Sequence, residues 1–153
     1  MGVQGKNGLD LRTDWEEGPS DFGGFAAHNL PNFFFPGGPH GAGGGNYPRY
    51  SQFQADWIIG TIVYARDNGY AIFEPTEEQE QIWMEMIAEL APKSIFSAEH
   101  SHYYGANVQG KPRKFLLNPG GRQGLVDILE QVMSTPDYCG ALETAHELVV
   151  SYE

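Results

Sequence analysis

Three of the chain's nine lysines and arginines stand together, as Lys111, Arg113 and Lys114 in the stretch SHYYGANVQGKPRKFLLNPGG, residues 101–121. Tyr103, Tyr104 and Gly105 precede them and a Pro-Gly-Gly turn closes the segment. Such a cluster suits pairing with the surplus of Asp and Glu, or facing an acidic neighbour. A second candidate is the run from Gly37 to Gly45, with six glycines in nine residues. Glycine lets backbone approach a ligand closely, and the N–H groups of a following helix then face an anion or a polarised carbonyl oxygen. No Gly-Lys-Ser/Thr follows, so this is not a P-loop. Gly41, Gly43 and Gly44 approach GxGxxG spacing, but no β-α-β unit with a ribose-binding acid follows. A structural loop and a cofactor contact both fit.

The histidines offer less. Glu99, His100 and His102 cluster, and His100 and His102 would share one face of a strand. A zinc site needs at least three protein ligands, and His28, His40 and His146 lack motif spacing to complete one. No metal is expected. Cys139 has no nucleophile signature around it, and Ser97 and Ser101 lack the Gly-x-Ser-x-Gly elbow. Glu77, Glu78, Glu80 and Glu85 read as the solvated face of a helix.

The elements that must position these residues follow from local pattern. Phe33, Phe34 and Phe35 form an apolar run between prolines, which predicts a buried strand entering the glycine loop. Asn46 is a good N-cap and Pro48 fits a first turn, so a helix starts there. It carries Phe53, Trp57, Ile58, Ile62 and Ala65 inward and stops at Asn68-Gly69. Thr76 to Gln79 is a capping box opening a second helix, with Ile82, Trp83, Met86, Ile87 and Leu90 on one face and Pro92 at its end. Residues 94–121 read as extended, with KFLLN as a further short strand. A third helix spans 123–133. Thr135-Pro136 opens a fourth, carrying Leu142, Ala145 and Val149. The fold class expected is therefore mixed α/β: a short strand, a glycine loop, about four helices and long loops, with no complete Rossmann sheet.

The net charge of −11 argues against nucleic acid and against anionic membrane surfaces as partners. Hydrophobic residues reach 41%, enough to bury a core. No run is long and apolar enough to span a bilayer. No signal peptide is recognisable, and a single cysteine fits a reducing compartment, so a cytoplasmic location is expected.

The residues YYGANVQGKPRKFLLNPGG resemble the C-terminal signature of flavin-dependent monooxygenases of the Baeyer–Villiger type. Those enzymes carry a Trp-Tyr-x-Gly-Ala-Asn-x-x-Gly-Lys-Pro-Arg run. NLPNFFFPGGPHGAGGGNYPR is similar to their Phe-Pro-Asn-Leu-Phe and glycine loop, and GLDLRTDWEEGP, ADWI and GYAIFEPTEEQEQIW match the flanking segments in order. The resemblance implies an FAD- and NADPH-dependent enzyme that inserts one oxygen atom from O2 into a ketone, or adds it to a heteroatom. It implies that Gly38, Pro39, Asn46 and Tyr47 lie beside the flavin, and Tyr103, Lys111 and Arg113 on the NADP side. His102 stands where the family has Trp, and is a candidate proton handler.

The resemblance also implies that residues 1–48 end an FAD-binding domain and residues 49–153 form a helical and loop region. The family's two GxGxxG sites and its catalytic arginine lie upstream of the matched region. The chain therefore reads as the last third of such an enzyme: a fragment, a truncated gene product or one chain of a split protein. It would need the missing FAD/NADP region or a partner chain, and would expose an apolar face with a tendency to self-associate. The alternative is a non-catalytic remnant or partner-binding module.

Overall fold

The computed structural model describes residues 2–43, 45–96, 101–105, 109–110 and 112–144. Its elements run, in order, α1 (Leu11–Asp14), α2 (Tyr47–Asp67), β1 (Tyr70–Phe73), α3 (Glu77–Leu90), α4 (Gly121–Val132) and β2 (Leu142–Thr144). Short 3-10 turns sit at Lys6–Gly8, Ala91–Lys93 and His102–Tyr104. The only sheet among the described residues is an antiparallel pair, β1 with β2, in which Phe73 faces Leu142 and Tyr70 faces Thr144. This is the mixed, open architecture expected, without a complete Rossmann sheet.

Helix boundaries follow the local chemistry. Asn46 caps α2 through its side chain, Pro48 sits in the first turn, and Asn68 and Gly69 end the helix. At α3 the capping box forms in both directions: Gln79 N–H donates to Thr76 Oγ1 at 3.2 Å, and Thr76 N–H to Gln79 Oε1 at 3.0 Å. α4 starts two residues before the expected Gln123 and buries Leu125, Leu129 and Val132. Trp83 from α3, Leu125 and Leu129 from α4, and Phe22 and Phe25 from the N-terminal loops form the centre of the core, all essentially inaccessible.

Four expectations are corrected. Phe33–Phe35 is not a strand. Asn29 and Asn32 adopt left-handed backbone, and Asn32 takes the strand's place beside β1. Its N–H donates to Phe73 O, its Oδ1 accepts from Phe73 N–H, and its Nδ2 donates to Ala71 O, all within 3.0 Å. The phenylalanines then serve as packing: Phe34 stacks on Phe73, and Phe35 meets Trp15 edge-on.

The KFLLN segment makes no ladder either. It stitches three loops together instead, with Leu116 N–H on Tyr103 O, Asn118 N–H on Ala42 O, and Phe115 O receiving His40 Nε2.

The expected fourth helix is absent at Leu142, which lies in β2. Tyr138, Cys139 and Gly140 are consecutively left-handed, which a right-handed helix cannot accommodate. Thr135 Oγ1 accepts from Cys139 N–H at 2.6 Å and fixes this turn. The same hydroxyl donates to Asp137 and holds that carboxyl below its ordinary value. Ala145 and Val149 lie outside the described residues.

Finally, α2 does not bury Ile62. Its inward face is Gln54, Ile58, Thr61 and Ala65, while Ile59, Ile62 and Val63 are 60%, 52% and 40% exposed. The helix thus presents a second apolar stripe to the outside, besides the Phe53, Trp57, Ile58 and Tyr64 side that packs on the core.

Candidate functional site

The glycine tract divides into two parts. From Gly37 to Gly43 it is packed against the chain's own interior. A Cβ on Gly24, whose φ is +71°, would lie 2.1 Å from Gly41 N, so the two loops cross in direct backbone contact that only glycine permits. Gly38 donates to Gly24 O at 2.8 Å, and Pro39 is half-buried beside it.

Gln54 organises this loop from the second turn of α2. Its Oε1 accepts from Gly37 N–H at 2.8 Å, and its Nε2 donates to Gly23 O at 2.8 Å and Gly41 O at 3.2 Å. Fully buried His40 adds a second anchor. Its Nδ1 lies 2.6 Å from Asp21 Oδ2 and its Nε2 lies 2.8 Å from Phe115 O. Asp21 Oδ1 also accepts from Gly24 N–H and from the Trp83 indole. Sequence reading singled out neither Gln54 nor Asp21. A buried Gln in a helix that also carries Phe, Trp and Ile was the one available signal.

From Gly45 onward the loop opens. A Cβ on Gly45 would meet nothing within 4 Å, and Asn46, Tyr47, Pro48 and Arg49 are all exposed. The N–H groups of Tyr47 and Arg49 are satisfied by Gly45 O and by Asn46, and Pro48 has none. The N–H groups of Gly45 and Asn46 have no acceptor among the described residues. Two exposed donors thus stand at the positive end of a 21-residue helix. Tyr47 closes back over the loop by donating its hydroxyl to Gly37 O. Beside this end lies an open cleft of about 480 Å³, lined by Asn46, Arg49, Tyr50, Phe53, Asp56 and Arg122 among others.

The remaining predicted residues lie on neighbouring segments. His102 is exposed and its ring stands 3.9 Å from that of Tyr103, which packs edge-on against Phe96. Ser101 caps this turn through Tyr103 N–H. Arg113 is exposed and forms no ion pair among the described residues. Lys114 is absorbed into the fold, donating to Gly18 O at 3.2 Å. Lys111, His100, Glu99 and His146 lie outside the described residues. Residues 115–118 join the Tyr103 turn to His40 and Ala42, so the two groups of predicted residues sit on one stitched framework. Among the described residues no cluster of His, Cys, Asp or Glu is arranged to hold a metal, and no helix is long and apolar enough to cross a membrane.

A buried acidic patch braces the same loops from behind. Glu80 accepts from Ser20 Oγ at 2.6 Å and His28 N–H at 2.7 Å, while Glu74 pairs with Lys6 at 2.6 Å. Burial holds the Glu80 carboxyl above its ordinary value, despite the opposing bonds from Ser20 and His28.

No protein-family model matches the chain. Cyclohexanone 1,2-monooxygenase of an Acinetobacter species is 37% identical over 121 residues, which cover 79% of this chain and 22% of that enzyme. Phenazine N-monooxygenase PhzNO1 of Lysobacter antibioticus is 31% identical over 140 residues, covering 92% and 26%. The crystal structure of cyclohexanone monooxygenase from Rhodococcus sp. Phi1 bound to NADP+ superposes with a TM-score of 0.84 at 32% identity, over 95% of this chain and 27% of that one. The chain thus spans about a quarter of the length of the relatives it matches. Its homologues are Baeyer–Villiger and related flavin monooxygenases, and it is homologous to a part of them over most of its own length.

Proposed function

We propose that these residues form one wall of an FAD- and NADPH-dependent monooxygenase that inserts one oxygen atom from O2 into a ketone or places it on a heteroatom. The observation that carries this reading is the open start of α2, with two N–H groups that have no acceptor among the described residues, in a chain homologous to such enzymes. Those donors and the helix dipole fit the pyrimidine edge of a flavin, which gathers negative charge on reduction. When bound, the flavin supplies the oxygen chemistry; the protein positions it and excludes water.

In this reading the loop from Gly38 and Pro39 to Asn46 and Tyr47 runs along the flavin. Tyr103, Lys111 and Arg113 face the nicotinamide dinucleotide, and His102 handles a proton at the substrate side. Residues 1–48 complete the flavin domain and 49–153 form the helical wall. The two dinucleotide-binding sites come from polypeptide outside these residues. The outward stripe of Ile59, Ile62 and Val63 is the surface on which that polypeptide, or a second copy, packs. A cytoplasmic location accords with the lone, exposed Cys139.

The test is a titration of the 15N-labelled chain with dithionite-reduced FMN under nitrogen, followed by amide NMR. Saturable shifts at Gly45 and Asn46 are expected. Shifts confined to other surfaces, or none at millimolar FMN, would leave a partner-binding module as the better reading.

A further inference from the structure

The cleft beside α2 has a composition that flavin contact does not explain. Arg49 lies in the first turn of α2 and Arg122 in the first turn of α4. A cation in a helix's first turn is opposed by the helix dipole, and a nearby carboxylate normally relieves it. Here none does. The chain carries 20 Asp and Glu, and Arg66 and Lys93 each hold one, yet neither cleft arginine forms an ion pair among the described residues.

Both arginines flank one aromatic surface. Phe53 is one helical turn beyond Arg49 on the same face, and the Arg122 guanidinium carbon stands 5.2 Å from the Phe53 ring centroid. Tyr50 extends that surface. The one carboxylate in the cleft, Asp56, accepts from Gln52 Nε2 at 2.7 Å. It is two turns from Arg49, about 10 Å along the axis.

We infer that this cleft is a subsite for an organic anion with a single acidic head group, a carboxylate or phosphate ester, on a short apolar body. The two guanidinium forks take the oxyanion, a geometry they read bidentately. Phe53 and Tyr50 take the apolar body. Asp56 repels a second negative group at the far wall. Combined with the proposed activity, and resting on it for this step alone, the cleft would favour oxygenation substrates that carry one acidic group. Binding of the anion itself requires no flavin.

The test uses the 15N-labelled chain without flavin and follows the arginine Nε–H signals during titration with sodium phenylacetate, phenyl phosphate, inorganic phosphate and neutral phenylacetamide. The expected result is saturable movement of the Arg49 and Arg122 signals with phenylacetate or phenyl phosphate, and which of the two binds tighter identifies the headgroup. Phenylacetamide should bind at least tenfold more weakly. Arg122→Met keeps a chain over Phe53 without the charge and should weaken the anion at least tenfold. Arg49→Gln should do the same, and serves if the first variant fails to fold. Equal response to the amide, response to inorganic phosphate alone, undiminished binding by either folded variant, or no saturation at 20-fold excess over protein would each overturn the inference. None of these results depends on whether reduced FMN reaches Gly45 and Asn46.

Discussion

Asp21→Ala should destabilise the chain far more than Asp21→Asn, and the gap between them follows from counting protons. The Asp21 carboxylate is wholly buried and receives three donors: Gly24 N–H at 2.9 Å, Trp83 Nε1–H at 3.1 Å and His40 Nδ1 at 2.6 Å. His40 Nε2 faces the Phe115 carbonyl, which can only accept. Nε2 therefore carries a proton, and Nδ1 and Asp21 Oδ2 share another between them. Alanine leaves all three donors without a partner. Each orphaned buried polar group costs about 1–3 kcal/mol, or about 3–9 kcal/mol for the three together. Partial relaxation brings the expected loss to about 4 kcal/mol.

Asparagine, by contrast, keeps Oδ1 for Gly24 and Trp83 and offers Nδ2–H to His40 Nδ1. The ring then holds a single proton, on Nε2, still donated to Phe115. The network is complete and neutral, and its cost should stay below about 1.5 kcal/mol. Urea unfolding followed by far-UV circular dichroism measures both. With a slope of about 2 kcal/mol/M, alanine should lower the midpoint by about 2 M and asparagine by well under 1 M. An alanine variant within about 1 kcal/mol of the parent would refute the reasoning, as would an asparagine variant equally damaged.

Gln54→Ala removes three hydrogen bonds that hold the glycine loop, and should cost about 2–4 kcal/mol, with protease cleavage appearing first between residues 37 and 43. Glu80→Gln keeps an acceptor for His28 N–H and a donor for Ser20 while deleting a desolvated charge, so at neutral pH its thermal midpoint should equal or exceed the parent's. Because the folded carboxyl titrates above the unfolded one, its contribution is present below the ordinary Glu range and lost as pH rises through the raised value. The parent should therefore gain on Glu80→Gln as pH falls through that window, and a parent that loses ground would contradict the assignment. Ile62→Glu on the outward face of α2 should leave chain stability within about 0.5 kcal/mol while reducing self-association in light scattering; unchanged association would remove that stripe as a docking surface.

The parts of the fold legible in sequence were those decided within a few residues. Asn46 with Pro48, the Thr76–Gln79 box and Asn68-Gly69 all mark helix ends where the structure has them, because each cap is a bond between near neighbours. The misreadings share the opposite cause. Phe33–Phe35 has the composition of a strand, but Asn32, about 40 residues from its partners in β1, takes the ladder positions. Leu142 has helical spacing, but left-handed Tyr138 and Cys139 precede it. Ile62 fits a buried stripe, yet its side belongs to no core among the described residues.

The site divides in the same way. The exposed start of α2 was legible from its cap and its glycines. The role of Gln54 was not, since nothing nearby in sequence reveals that its amide meets carbonyls of Gly23 and Gly41.

The position of Asn32 has a further effect on how the molecule meets its own copies. An isolated strand usually leaves a row of backbone groups on each edge, ready to recruit another chain. Here β2 covers one edge of β1, and Asn32 plugs the other with its side-chain amide and its own N–H. A further strand therefore cannot add along β1 without first displacing Asn32.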